Sequence, residues 1–172
     1  GGREMSRRPL APHGGNDKVW TPDALAVQIV SHFAPTGRIL EPCRGAGAFV
    51  RAMPNCDWCE IDDGRDFLKW TERVDWVVTN PPWSQFRAFL NHSMQVSDNV
   101  VFLSLVNAFF MRARVDDMRR AGFGIVEILM LPTPVKPWPQ TGFQLGATHI
   151  RLGHVKSTTF CFANAGMKEG AK

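Results

Sequence analysis

The chain has no uninterrupted apolar run of the roughly 18 to 20 residues that a membrane-crossing helix needs, and its polar, basic start (Arg3, Arg7, Arg8) leads into no apolar leader stretch. The expectation is a soluble, intracellular, cytoplasmic protein with no membrane partner. Cysteine is scarce: Cys43, Cys56, Cys59 and Cys161 are too few and too irregularly spaced for a disulfide framework. Cys56-x-x-Cys59 has no second CxxC or His pair to complete a zinc site, so reduced thiols and no bound metal are expected. Repeats of fixed period and long low-complexity linkers are also missing, which argues against a solenoid. With 172 residues, 44% hydrophobic and 21% charged, the chain suits one domain with one sizeable core.

Neither sign of charge is lacking. A net charge of +4 and a pI near 9.1 suit a polyanionic partner without identifying one. Residues 1–18 are rich in glycine and proline, lack a hydrophobic pattern and read as a flexible basic arm; 19–163 read as a single domain and 164–172 as a flexible tail.

Thr21-Pro22 suits an N-cap and first helical position, and Leu25, Ile29, His32 and Phe33 follow at near-helical spacing up to Pro35. Arg38-Ile39-Leu40 reads as a buried strand ending in Glu41-Pro42, after which Gly45 and Gly47 open a tight turn into Ala48, Phe49, Val50 and Met53. Further strands are expected over 56–61, 74–79 and 100–106, with a helix through Phe86, Phe89, Leu90 and Met94 between the last two. A charged helix over 112–121 should stop at Gly122, before an apolar run over 125–131 and the proline-rich PTPVKPWPQTG. Late strands near 148–152 and 158–162 suit antiparallel closing partners. Alternating strands and helices predict an α/β fold with a mostly parallel sheet, an antiparallel edge, and a ligand at the carboxyl ends of the strands.

LEPCRGAGAF (40–49) places an acid at a strand end and glycines where backbone must approach a ligand closely, just before a helix. A dinucleotide fingerprint would need a third glycine where Val50 stands, and a phosphate loop would end in Gly-Lys-Ser/Thr. Glu41 suits the ammonium of an amino-acid moiety, directly or through water, and would repel a pyrophosphate. Glu60, closing the next strand, suits two ribose hydroxyls. The second motif is VDWVVTNPPWSQF (74–86), where an apolar strand runs into Asn80-Pro81-Pro82-Trp83 and two prolines fix the loop.

With both motifs in this order, the sequence resembles the class I S-adenosylmethionine-dependent amino-methyltransferases, of the N6-adenine DNA methyltransferase type. The family tetrapeptide is Asp/Asn/Ser-Pro-Pro-aromatic, here NPPW, and the resemblance covers roughly residues 19 to 131. It implies a Rossmann-like fold in minimal form, S-adenosyl-L-methionine as cofactor and DNA as partner. The implied cofactor-binding residues are Thr21, Glu41, Pro42, Gly45, Gly47, Glu60, Asp66 and Phe67, with Asp66 near the adenine amine, Phe67 beside the ring and Thr21 at the methionine carboxylate. The implied catalytic residues are Asn80, Pro81, Pro82 and Trp83. Asn80 and the Pro81 carbonyl accept the hydrogens of a target amine whose lone pair is otherwise delocalised into the ring. Trp83 stacks on a base flipped out of the duplex, and Phe143 is a candidate for its other face.

Two departures from the family stand out. Only 61–65 separate Glu60 from Asp66, too few for a crossover helix. Either a strand is lost and Asp66 reaches the cofactor from a loop, or 62–73 supply a small substitute; Asp62 competes with Glu60 for the ribose. Only about 40 residues follow Leu131, so target recognition is expected from loops or a protein partner. Arg3, Arg7, Arg8, Lys18 and the cluster Arg112, Arg114, Arg119, Arg120 are candidate phosphate contacts. The alternatives are an RNA base amine, a protein glutamine amide, or a non-catalytic methyltransferase-like subunit.

Overall fold

A computed structural model of the chain describes residues 19–163; the expected arm, with Arg3, Arg7, Arg8 and Lys18, and the expected tail lie outside them. Pro22 has φ −59° and ψ 139°, and its carbonyl accepts the N–H groups of both Leu25 and Ala26 at 3.1 Å. Helix α1 therefore runs Asp23–Phe33 with Pro22 at its N-cap, one residue later than the sequence predicts. That correction releases the Thr21 side chain from capping. The short strand β1 (Ile39–Glu41) leads through Gly45 and Gly47, at φ 53° and 90°, into α2 (Ala48–Ala52).

The strand expected over 56–61 contracts to β2 (Asp57–Trp58). The cause lies in where the next hydrogen bonds go: Cys59 donates to the Glu41 carbonyl at 2.8 Å and accepts from the Arg44 N–H at 2.9 Å, which fastens the glycine turn instead of lengthening the sheet. The missing crossover is replaced by two 3₁₀ turns. Glu60 caps Ile61–Asp63 by accepting from Asp62 N–H at 3.3 Å, and Asp66 caps Phe67–Lys69 by accepting from Leu68 N–H at 3.0 Å. The chain then enters β3 (Val74–Thr79), so the further parallel strand is absent and β2 forms the sheet edge.

A 3₁₀ turn at Trp83–Gln85 precedes α3 (Phe86–Val96), which buries Phe86, Phe89, Leu90 and Met94 as their spacing requires. Strand β4 (Ser97–Leu105) follows, and α4 (Arg112–Ala121) stops at Gly122, whose φ of 77° is the left-handed conformation of a helix C-cap. Strands β5 (Phe123–Leu131), β6 (Leu145–Leu152) and β7 (Thr159–Phe162) complete a seven-stranded sheet of order β2-β1-β3-β4-β6-β5-β7. The expected antiparallel element is β6, which runs against both β4 and β5; the outermost strand β7 runs parallel to β5.

Helices cover both faces. Val77, Val78, Val100, Val101, Phe102 and Leu103 on the central strands are almost wholly buried. One face packs on α3 and α4, where the Phe86 ring meets Phe102 and Phe109 edge-on at 5.5 and 5.1 Å. The other packs on α1 and α2 through Leu25, Ile29 and Phe49. Among the described residues no helix is long and apolar enough to cross a membrane.

Candidate active site

At the carboxyl ends of β1, β2 and β3 lies a cavity of about 400 Å³. Thr21, Glu41, Pro42, Gly45, Glu60, Asp66, Phe67 and the whole Asn80-Pro81-Pro82-Trp83 segment line it together. Gly47 does not line it. It shapes the turn instead, in a left-handed conformation where an added Cβ would stand 3.0 Å from Arg51 Nη1.

Glu41 is 1% exposed. Its Oε1 accepts the Cys43 N–H at 2.9 Å and a short hydrogen bond from the Thr79 hydroxyl. Both donors reach the same oxygen, which leaves the other to meet a ligand. Burial pushes the Glu41 carboxyl up to about 8 against the relief of those two donors, and the charge of Glu60 adds to the rise. An acid placed this way gains most from a cation brought beside it. Glu60 Oε2 accepts the Gly45 N–H at 2.8 Å, tying the acid at the edge strand to the glycine turn. Asp66 both caps its 3₁₀ turn and faces the cavity, and Phe67 is held between Phe89 and His92, at 5.1 and 4.8 Å between ring centres.

Among the described residues, five acids (Glu41, Glu60, Asp62, Asp63 and Asp66) line the cavity against a single cation, Arg44, which is bound to Asp63 at 2.6 Å. Such walls suit a ligand bearing an ammonium, a sulfonium and hydroxyls, and repel a polyphosphate. S-adenosylmethionine has that donor set, so the residues present fit it.

Asn80 directly follows β3, and its orientation is fixed by its amide nitrogen, which donates to Thr21 Oγ1 at 3.2 Å and to the Val19 carbonyl at 3.4 Å. Its Oδ1 is buried and accepts no hydrogen bond from the described residues. A buried acceptor without a donor is costly, and here it belongs to a residue that lines the cavity. Thr21, expected at a ligand carboxylate, thus has a contact the sequence did not suggest: it orients Asn80.

Cys43, treated in the sequence as an ordinary thiol, lies at the centre of the site. Its sulfur donates to the Asn80 carbonyl at 3.1 Å and meets the Thr79 hydroxyl at 2.9 Å, linking the glycine turn to the tetrapeptide. Burial, then the charge of Glu41, pushes its thiol pKa well up, so it remains protonated and able to donate. Trp138 was also missed. It comes from the proline-rich loop, is buried, and meets Trp83 edge-on at 6.4 Å. Phe143, expected to cover a bound base, is 59% exposed and lines a separate cavity with Thr133 and Gln140. The proline-rich loop therefore reaches the site through Trp138.

Of the expected basic cluster, Arg114, Arg119 and Arg120 have partners among the described residues, and Arg112 is exposed. Asp117 binds Arg87 at 2.6 Å and Arg120 at 2.5 Å, Arg119 binds Asp116 at 3.3 Å, and Arg114 donates to the Ala108 carbonyl while stacking on Phe86. Arg87 first, then Asn91, holds the Asp117 carboxyl far below its ordinary range. Ion pairs order part of α4, while the Arg119 and Arg120 side chains stay 76% and 72% exposed at the surface.

The architecture is that of solved methyltransferases. A candidate RNA methyltransferase from Pyrococcus horikoshii matches with a TM-score of 0.58 and 16% identity, over 76% of this chain and 82% of its own. The EcoKI M protein of a type I restriction enzyme matches at 0.58 and 15%, over 79% of this chain and 44% of its own length. Magnesium protoporphyrin IX methyltransferase of Synechocystis PCC 6803, solved with bound S-adenosylmethionine, matches at 0.51 and 11%, over 75% and 77%. At these identities the shared property is the Rossmann-like class I methyltransferase fold. No protein-family model and no curated protein matches the chain by sequence.

Proposed function

We propose that the chain is an S-adenosylmethionine-dependent N-methyltransferase whose target is the exocyclic N6 amine of adenine in DNA. The observation that carries this reading is Asn80 Oδ1: a buried acceptor lacking a donor, on a residue of the acid-lined cavity. An exocyclic amine supplies the missing N–H. Accepting it draws the nitrogen toward tetrahedral geometry and returns its lone pair from the ring, with the Pro81 carbonyl as the second acceptor.

When bound, the cofactor supplies a methyl group activated on a sulfonium. The protein's part is to bind and align. Glu41 holds the ammonium end, Glu60 the ribose hydroxyls, and Asp66 with Phe67 the adenine. Trp83, braced by Trp138, offers its face to the flipped base. Rate then comes from alignment and from acceptors already in place, without a strong base, and the proton that the methylated amine must lose passes to solvent with or after transfer. DNA is supported by the NPPW tetrapeptide, by the net charge of +4 and by the fold shared with the EcoKI M protein. The exposed Arg112, Arg119 and Arg120 on α4 are candidate phosphate contacts beside a partner or other loops for target recognition.

The test is nucleoside mass spectrometry of DNA and RNA from cells expressing the wild-type chain or Asn80→Ala. N6-methyladenine gained in DNA with the wild type alone is expected. A methylated nucleoside confined to RNA overturns the DNA assignment, and none in either pool overturns a nucleic-acid substrate. S-adenosylmethionine binding by calorimetry, weakened in Glu60→Ala, separates an enzyme of another substrate from a non-catalytic subunit.

A further inference from the structure

On the α1 face of the sheet, far along the strand order from the cavity, three side chains of metal-binding type meet. His32 stands in the last turn of α1, Glu127 on β5 and Cys161 on the outermost strand β7. Their ligand atoms all lie within 4.8 Å of one another. His32 Nε2 is 2.5 Å from Glu127 Oε1, and the Cys161 sulfur stands within 4.8 Å of both ligand atoms. The register explains the meeting. β5 and β7 run parallel with Leu129 opposite Cys161 and Glu127 opposite Thr159, and side chains two apart on a strand share a face. Phe160 and Phe162 take the opposite side of β7 and are exposed.

We propose that His32, Glu127 and Cys161 form a binding site for one divalent transition ion of the zinc class, with three protein ligands and a fourth position open to water. The donor set selects the ion: a thiolate and an imidazole suit zinc or cobalt, whereas calcium and magnesium require oxygen ligands. The geometry is close to what is needed. Zinc bonds of about 2.0 Å to nitrogen and oxygen and about 2.3 Å to sulfur set tetrahedral ligand atoms roughly 3.3 to 3.6 Å apart. The His32–Glu127 pair opens by about 1 Å to reach that spacing, and both side chains are partly exposed, at 30% and 23%. On binding, the Cys161 thiol proton passes to solvent, and the sulfur and imidazole that now face Glu127 face the ion.

The site also has a structural consequence. Among the described strands β7 is hydrogen-bonded to β5 alone, and it is only four residues long. An ion ligated from β7, β5 and α1 clamps this last strand to the helix covering it. Such a site is invisible to spacing in the sequence, because its ligands lie 95 and 34 positions apart.

The experiment is equilibrium dialysis of the whole chain against Zn²⁺, with elemental analysis of the protein, followed by the visible and near-ultraviolet spectrum of the Co²⁺ form. One ion per chain is expected. Affinity should fall at least about tenfold in Cys161→Ser and in His32→Ala, while Cys56→Ser retains it. The Co²⁺ form should show a thiolate charge-transfer band that Cys161→Ser lacks and tetrahedral visible bands. Zn²⁺ should raise the Tm of the wild type and not of either ligand variant. Near-ultraviolet circular dichroism checks folding, and His32→Ala, altered on the helix surface, decides the matter if Cys161→Ser does not fold. Failure of the wild type to bind stoichiometrically, binding undiminished in His32→Ala, or loss in Cys56→Ser equal to that in Cys161→Ser overturns the proposal.

Discussion

Replacing Glu41 by glutamine should stabilise the free protein at alkaline pH while weakening its hold on a cationic ligand. The folded carboxyl titrates at about 8 and the unfolded one at its ordinary 4.5. Between those values the folded chain keeps a proton that the unfolded chain has released, so stability falls as pH rises through the window. At about 1.4 kcal/mol per pH unit, the full window is worth about 5 kcal/mol. Glutamine keeps an oxygen for the Cys43 N–H and the Thr79 hydroxyl and carries no charge. Urea unfolding from pH 5 to 9 should therefore give variants of equal stability within about 1 kcal/mol at the acid end, and a Glu41→Gln advantage growing to a few kcal/mol by pH 8.5. His149 titrates in both proteins and cancels in the difference. The same substitution should weaken S-adenosylmethionine binding, and the wild-type affinity should rise with pH up to about 8 as the free carboxyl loses its proton. Parallel pH profiles for the two proteins would refute the argument, because they would mean that Glu41 is ionised in the free fold.

Asn80→Ala should lower methyl transfer on the order of 100-fold or more, as removal of a preorganised polar group does, while calorimetry finds cofactor affinity nearly unchanged. Gly47→Ala should cost about 1–2 kcal/mol in urea unfolding, since an L-residue is strained in the left-handed region and its Cβ would crowd Arg51. Trp138→Ala should cost about 3–5 kcal/mol as a buried large-to-small change and should also raise KM through loss of support for Trp83. His149 is stacked on Trp76 at 4.8 Å, and burial, then the charge of Arg151, holds it down at about 4. Its contribution is lost as pH falls from 6.5 to about 4, so His149→Phe should remove about 3 kcal/mol of acid sensitivity in thermal or urea unfolding.

Local sequence determined the elements whose signals are short-range. The spacing of Phe86, Phe89, Leu90 and Met94 made α3, Gly122 ended α4, and the apolar run before Asn80 made β3. The order of the glycine turn and the NPPW tetrapeptide was equally legible, because a turn conformation and a proline-locked loop are written in adjacent residues. The full length of the strand after Cys56 was not. Its backbone groups were claimed by Glu41 and Arg44, partners supplied by another segment. The orientation of Asn80 rests on Thr21, and the coupling of Cys43 to Thr79 and Asn80 spans more than 30 residues. Trp138 displaced Phe143 as the loop's contribution because burial, which no local pattern encodes, selected it. The meeting of His32, Glu127 and Cys161 depends on strand order. Chemistry borne by neighbouring residues follows from the sequence alone, whereas the pairing of distant donors, acceptors and charges exists only once the chain has closed on itself.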